Sequence, residues 1–525
     1  MLSGASGVLI RNQVACSIYQ RSGCESQTSR CRSTSNTREQ ILDLGQEVVR
    51  ILMAIHSAMN MAKPINRLPT ELLTKVFEFR KSDRDLISAT HVCARWRDTL
   101  LSTPYLWTKI DFEDIVRASA FLERSKSSLI DVSVAKTRSF LGPEGVFLGA
   151  IPWVARMKSL FIHAEEEQIK TIAKRLCHQT PNLQSLSLKG RPGRFSSTGG
   201  SSGGAIYIPH EFLGRHAPLL QSLTFSSVSP SVVFNFPLPK LTHIDWVAET
   251  AFVAIEELLD LLATAPLLEV IKIHVRIRRT RAYEPLREVT LNKLRKLDWG
   301  DHEGSISLIT CLIAPKLDDV TLRVTRIAQD PQITLSAILP PQGNNLPRLV
   351  EPKALEYAYR NGTRTCHFTY DKGNFLIREV PASRMASPTA DLWLSPADIP
   401  LSFGRTKELT IEVSDGCILI DDIPIDRFEN LRTLGLVGET DTLAPMIRPN
   451  RGISGGVLSV PCPDLSEVSI TPKHTNFPLG ELVDALRERK EAGNGLKTVR
   501  IWGKFQCLEG EIKELRKFVG ELTTK

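Results

Sequence analysis

Hydrophobic and polar positions change rhythm along this chain, and each rhythm predicts a different element. Between Ile41 and Met61 apolar residues fall at 41, 44, 48, 51, 52 and 55, the spacing of one helical face; this helix could lead into the next element or pair with a partner helix, and packing on its own chain is the favoured expectation. The stretch PINRLPTELLTKVFEF follows at residues 64–79. Pro69 suits a first helical turn, where its missing N–H costs nothing, and Glu71 comes where the helix dipole favours an acid. Leu72, Leu73, Val76 and Phe77 then recur as a single apolar stripe. Ser82 and Asp83 are candidate caps. A second helix is predicted over LISATHVCARWRDTLL, with Leu86, Ala89, Cys93, Trp96 and Leu100 in steps of three and four and Val92 beside them. STPYLW at 102–107 restarts a turn of helix around Pro104. Three helices this short bury too little area to offset chain entropy unaided. The unit therefore needs a neighbour, and Leu72, Val76 and Phe77 are the surface it is expected to offer another protein.

From about residue 150 the rhythm becomes L-x-x-L-x-L. Copies read PNLQSLSL at 181–188, PLLQSLTF at 218–225, PKLTHIDW at 239–246, PLLEVIKI at 266–273, NKLRKLDW at 292–299 and PKLDDVTL at 315–322. Later copies are ENLRTLGL at 429–436, PDLSEVSI at 463–470 and NGLKTVRI at 494–501, with weaker ones at 155–162 and 405–411. Each is a turn followed by a short strand whose alternate side chains point inward. The first leucines, at 220, 241, 268, 294 and 317, are 21, 27, 26 and 23 residues apart, a period similar to that of leucine-rich repeats. Helical patterns lie between strands at 166–179, 252–265 and 479–490. Strand and helix in alternation imply an α/β stack in which each unit buries its apolar face against its neighbours. LEGEIKELRKFVGEL, with Ile512, Leu515, Phe518, Val519 and Leu522 on one side, is expected to be a helix capping the open end.

The repeat is interrupted twice. GRPGRFSSTGGSSGG at 190–204 has the composition of a flexible loop. Residues 323–404 lose the pattern, but within them an alternating segment contains Asn361-Gly362 and Asp371-Lys372-Gly373, hairpin signals that predict a small antiparallel meander.

Composition narrows the function. With 42% hydrophobic and 24% charged residues the chain is that of a folded protein. Its net charge of +8, spread over 525 residues, builds no concentrated basic face, so no nucleic acid partner is expected. No apolar run is long enough to span a bilayer, so no membrane partner is expected either. Ten cysteines without a CxxC pair fit reduced thiols in a cytoplasmic and/or nuclear protein. The first 38 residues hold five Arg, eight Ser and one acid, Glu25; this fits a disordered tail or a mitochondrial presequence, and the scarcity of an amphipathic face favours the tail.

No nucleophile elbow, HExxH, GxxxxGK[ST] or dinucleotide fingerprint occurs. His163, His178, His216 and His243 stand at no metal-ligand spacing. Cys366 and His367 are neighbours in a predicted strand and so point to opposite faces, a poor start for a dyad. NGT at 361–363 is a glycosylation signal that means nothing without secretion. A non-catalytic chain without cofactor or metal is expected.

Residues 64–111 resemble an F-box, carried by the Leu68-Pro69 start, the VCARW core at 92–96 and the STPYLW close. The whole arrangement is similar to F-box/leucine-rich-repeat proteins of mushroom-forming fungi. The resemblance implies an α/β fold class: a small N-terminal three-helix F-box, then an irregular leucine-rich-repeat solenoid, or horseshoe, with an inserted β-meander. Expected boundaries are a disordered tail at 1–40, a helical lead-in at 41–63, the F-box at 64–111, the solenoid at 112–505 with its irregular insertion at 323–404, and the capping helix at 506–525. It further implies a substrate-recognition subunit of an SCF-type ubiquitin ligase, bound through a Skp-type adaptor to cullin and RING subunits and holding a protein substrate. Leu68, Pro69, Leu72, Val76 and Phe77 would face the adaptor, with Val92, Cys93 and Trp96 forming or supporting the same surface. The repeats depart from the usual pattern: Arg191, His302 and Glu439 stand where many leucine-rich repeats carry Asn or Cys. The alternative reading is a non-catalytic leucine-rich-repeat scaffold acting without a ligase.

Overall fold

In the computed structural model the described residues are 28–79, 82–134, 151–191, 206–207, 211–229, 236–278, 286–301, 309, 311–326, 346, 351–360, 363–381, 403–413, 425–438, 443–451, 457–472, 479–503 and 509–524. The chain divides into two compact units, Met1–Leu106 and Trp107–Lys525.

The first unit is helical. Helix α1 runs Thr28–Ala62, so it begins inside the stretch expected to be a disordered tail. Its apolar residues are not buried among the described residues, against expectation: Ile41, Leu44, Val48, Ile51, Leu52 and Ile55 are all about half exposed or more. A 3₁₀ turn at Pro64–Arg67 leads into α2, Thr70–Glu78, with Pro69 at the N-cap rather than inside the first turn. The single helix expected over 86–101 is two, α3 at Asp83–Thr90 and α4 at Ala94–Leu101. Local polar bonds make the break. The Arg97 guanidinium Nε donates to the Thr90 carbonyl at 3.0 Å, closing the end of α3, while Cys93 is extended at φ −158° ahead of α4. At the other end of α3, Ser82 and Asp85 form a reciprocal capping box, satisfying two donors that a helix start leaves open.

The second unit is built on one seventeen-stranded sheet. Its strands, numbered in chain order, are β1 Lys109–Asp111, β2 Ile130–Val134, β3 Met157–Glu165, β4 Ser185–Arg191, β5 Ser222–Ser226, β6 His243–Ala254, β7 Val270–Arg278, β8 Lys296–Asp301 and β9 Asp319–Arg326. They continue as β10 Ala354–Arg360, β11 Thr363–Tyr370, β12 Gly373–Pro381, β13 Glu408–Val413, β14 Thr433–Gly438, β15 Glu467–Pro472, β16 Thr498–Ile501 and β17 Glu521–Thr524. Strands β1 to β9 lie side by side in chain order, each parallel to the last. Strands β13 to β17 do the same.

Every copy of the repeated motif supplies one of these strands, and one local device starts most of them. The backbone N–H of the first motif leucine donates to the carbonyl three residues earlier at 3.0–3.3 Å, at Leu183, Leu220, Leu241, Leu268, Leu294, Leu317, Leu431 and Leu465. Each of those leucines is buried. The next two apolar positions stack in register from strand to strand. Leu160, Leu186, Leu223, Ile244, Ile271, Leu297 and Val320 form one buried row, and Ile162, Leu188, Phe225, Trp246, Ile273, Trp299 and Leu322 form the other. A parallel sheet holds its register this firmly because a one-residue slip would turn every apolar side chain outward.

The predicted meander exists and is part of this sheet. Strand β11 lies antiparallel between β10 and β12, and the three enter in reverse order: β12 pairs parallel with β9, and β10 pairs parallel with β13. The buried rows run through it unbroken, as Phe375, Phe368 and Leu355 in one and Ile377, Cys366 and Tyr357 in the other. Gly373 permits the join, because a Cβ there would lie 1.8 Å from the Asp318 carbonyl oxygen. The Asn361-Gly362 turn lies outside the described residues, as does the Gly/Ser loop from residue 192 to 204.

Helices α5 Ile115–Arg124, α6 Glu166–Arg175, α7 Ile255–Ala263, α8 Leu443–Ile447, α9 Leu479–Glu491 and α10 Glu509–Phe518 connect strands. The last expected element is corrected. Helix α10 does not end the sheet, since the chain goes on from it into β17, which pairs parallel with β16.

Candidate functional site

Helix α2 separates the apolar stripe read from the sequence into two faces. Positions 73 and 77 are four apart and so share one side of the helix; 72 and 76 share another, about 100° round. Leu73 and Phe77 point into the unit and are buried, at 0% and 6% exposed. Leu72 and Val76 stand in solvent at 48% and 46%. Phe77 is therefore core and not contact surface, because its ring is taken up by Trp96 of α4, edge to face with centroids 5.1 Å apart.

Trp96 is itself fixed. Its indole Nε1 donates to the Asn66 side-chain oxygen at 2.6 Å, and the buried Asn66 amide donates in turn to the Asn60 carbonyl at 2.7 Å. The neighbouring Arg95 guanidinium donates to the Leu68 carbonyl. These bonds tie the 3₁₀ turn and the start of α2 to α4, so the exposed residues ride on a closed frame. Leu68, Cys93 and Trp96 are half-buried, while Pro69 and Val92 are exposed. The structure thus leaves Pro69, Leu72, Val76 and Val92 as open surface and assigns Phe77 and Trp96 to its support.

One residue outside the sequence-based set belongs with this surface. Phe79 is 86% exposed. Phe79 follows Leu72 and Val76 at the i, i+4, i+7 spacing, a signal already present in the sequence. Nearby, the Tyr105 hydroxyl donates to the Glu78 carboxylate at 2.6 Å. That hydrogen bond, helped by burial and by the Glu78 charge, pushes the Tyr105 pKa up to about 12.

Trp107, the last residue of the STPYLW close, is wholly buried in the second unit. It meets Phe121 edge to face at 4.9 Å, with the Arg124 guanidinium 4.6 Å from its ring centre.

On the sheet, outward positions alternate with the buried rows. Ser187, Asp245 and Lys272 fall on successive lines of that polar face, joined by Thr224 between and Asp298 beyond. Lys272 lies 3.3 Å from Asp245, His274 Nε2 is 2.9 Å from one Asp298 oxygen, and Arg323 is 3.2 Å from the other. Burial raises the Asp298 pKa, but the His274 hydrogen bond and the charges of His274, Arg323 and Lys272 outweigh it and hold the carboxylate below its ordinary range. Gln184, Thr242 and Arg295 precede their strands and belong to a backbone ladder at the sheet's entrance. Cys366 is buried while His367 faces outward, 3.8 Å from Glu356, so alternation separates them as expected. No group of three or more His, Cys, Asp or Glu among the described residues could hold a metal ion. No helix among the described residues is long and apolar enough to cross a membrane.

Residues 65–113 match the F-box-like family model, so the chain carries an F-box-like domain that takes in α2, α3, α4 and β1. No curated protein matches the chain.

Proposed function

We propose that this chain is the substrate-recognition subunit of an SCF-type ubiquitin ligase. F-box-like domains typically bind Skp-type adaptors. In this reading Leu72, Val76 and Val92, with Pro69 and Phe79, seat on that adaptor, which links the chain to cullin and RING subunits. The observation that carries the proposal is the exposure of Leu72 and Val76 on an F-box-like helix whose own core closes without them. A few apolar anchors of this kind suffice for a specific interface of about 800 Å² per side.

The sheet unit is read as an irregular leucine-rich-repeat solenoid that holds a protein substrate. Support comes from strands laid parallel in chain order, one turn geometry repeated at eight leucines, and buried rows continuous between neighbours. The chain itself is non-catalytic and acts in the cytoplasm and/or nucleus. Its contribution is proximity, holding substrate near a ubiquitin donor carried by its partners.

Co-purification of the full chain with a Skp-type adaptor and cullin tests this. The intact protein is expected to retain both, and Leu72→Asp with Val76→Asp to weaken adaptor binding at least 100-fold at an unchanged melting temperature. Leu68→Ala with Pro69→Ala should also weaken it. Failure of the intact chain to bind would leave the non-catalytic scaffold as the remaining reading.

A further inference from the structure

Helix α1 carries an apolar seam that the F-box-like domain does not use. From Ile41 the residues fall into three heptads, with Ile41, Val48 and Ile55 at one seam position and Leu44, Ile51 and Ala58 at the other. Leu52 and Met59 flank the seam on one side. Ile41, Leu44, Val48, Ile51, Leu52, Ile55 and Met59 are each 49–67% exposed. Gly45 lies open too, since a Cβ there would meet nothing within 4 Å. A repeat of 3.5 residues is the signature of a helix meeting another helix along its length, whereas a helix lying on a globular core follows 3.6.

We infer that this seam pairs with the same helix of a second copy of the chain, forming a coiled-coil dimer. Three observations select a second copy. The seam positions hold no charged side chain, and Asp43, Glu47 and Arg50 leave residues 41–62 with two acids and one base, so two copies meet without like-charge repulsion. Branched Ile41, Val48 and Ile55 at the first seam position, with Leu44 opening the second, match the two-stranded pattern in the first heptad. The area also fits. Seven aliphatic side chains withdraw roughly 400–800 Å² of apolar surface per copy, overlapping the ~600–1,000 Å² per partner of specific interfaces. A membrane surface fits poorly, because interfacial helices carry a Lys/Arg-rich polar face along their apolar stripe, whereas residues 41–62 hold Arg50 as their one Lys or Arg and Arg30, Arg32 and Arg38 come before the seam.

Light scattering on the size-fractionated full chain, across a hundredfold range of concentration, tests the inference. The wild-type chain is expected to be a dimer, and Val48→Glu with Ile51→Glu to raise its dissociation constant at least 100-fold, giving a monomer. Met53→Glu, on the helix side opposite the seam, should leave the dimer intact. Because all three positions are exposed in the single chain, each variant should still fold, which far-ultraviolet circular dichroism reads. A monomeric wild-type chain overturns the inference, as does a Met53→Glu variant that dissociates equally. A monomer that binds phosphatidylserine-containing vesicles through the same residues also overturns it. The readout is independent of adaptor binding, which rests on Leu72 and Val76.

Discussion

At the scale of single residues, burial and polar neighbours decide roles that residue type leaves open. Asp298 is a carboxylate on the polar face of the sheet, yet it is wedged between His274 and Arg323 at 2.9 and 3.2 Å. Its pKa in the folded chain lies below the ordinary value near 3.9. The sign follows: a depressed carboxylate pKa stabilises the fold at all pH above the unfolded value, and this is lost as pH falls through the folded one. Asp298→Asn is therefore expected to cost about 1–3 kcal/mol at pH 7, with the difference from wild type shrinking below about pH 4. Urea unfolding at pH 7 and pH 3 measures both, and a penalty of equal size at the two would refute the ion-pair account. None of this was legible from the sequence, where Asp298 is only a polar residue inside NKLRKLDW; its partners come from β7 and β9, 24 and 25 residues away.

At the scale of elements, α2 shows how a stripe can be read correctly and still be assigned to the wrong side. Leu72, Leu73, Val76 and Phe77 were all visible as an apolar group. Periodicity fixes that they lie together on a helix; it does not say which edge of a broad stripe meets the core. Packing against Trp96 settles it for Phe77. Phe77→Ala is thus expected to destabilise the helical unit by about 3–5 kcal/mol, whereas Leu72→Ala, on the exposed edge, should change it by less than about 0.5 kcal/mol. Amide hydrogen exchange across residues 70–101 separates the two, and equal protection in both variants would return Phe77 to the surface. The split of the expected 86–101 helix has the same lesson. Leu86, Ala89, Cys93, Trp96 and Leu100 keep helical spacing across the break, so periodicity passes straight over it. Only the Arg97 bond to the Thr90 carbonyl and the extended Cys93 mark the corner.

At the scale of the whole molecule, the sheet is continuous where the repeat is not. Residues 323–404 lose the leucine pattern, yet three of their strands carry both buried rows from β9 to β13. The meander enters through Gly373, whose missing side chain lets β12 lie against the Asp318 carbonyl. Gly373→Ala should cost about 2–4 kcal/mol, since the atom in the way is backbone and cannot swing aside, and a thermal melt of the full chain reads the loss. An unchanged melting temperature would mean that the meander is not seated in the sheet. Because each strand touches chiefly its two neighbours, a fault at this join uncouples the strands on its two sides.

The sequence by itself determined what nearest neighbours along the chain can encode: helical spacing before residue 110, two-residue alternation after leucine-initiated turns, hairpin signals near 371–373, and the F-box-like signature. Those are properties of local geometry, and every motif copy duly became a strand. Tertiary structure alone decided that Phe77 turns inward and Leu72 outward, that α1 begins at Thr28 and leaves its seam uncovered, that α10 is followed by a final strand, and that the meander is spliced into the sheet in reverse order. Burial and strand partnership depend on surfaces brought together from distant parts of the chain, and such pairings leave no periodic trace in the residues that make them.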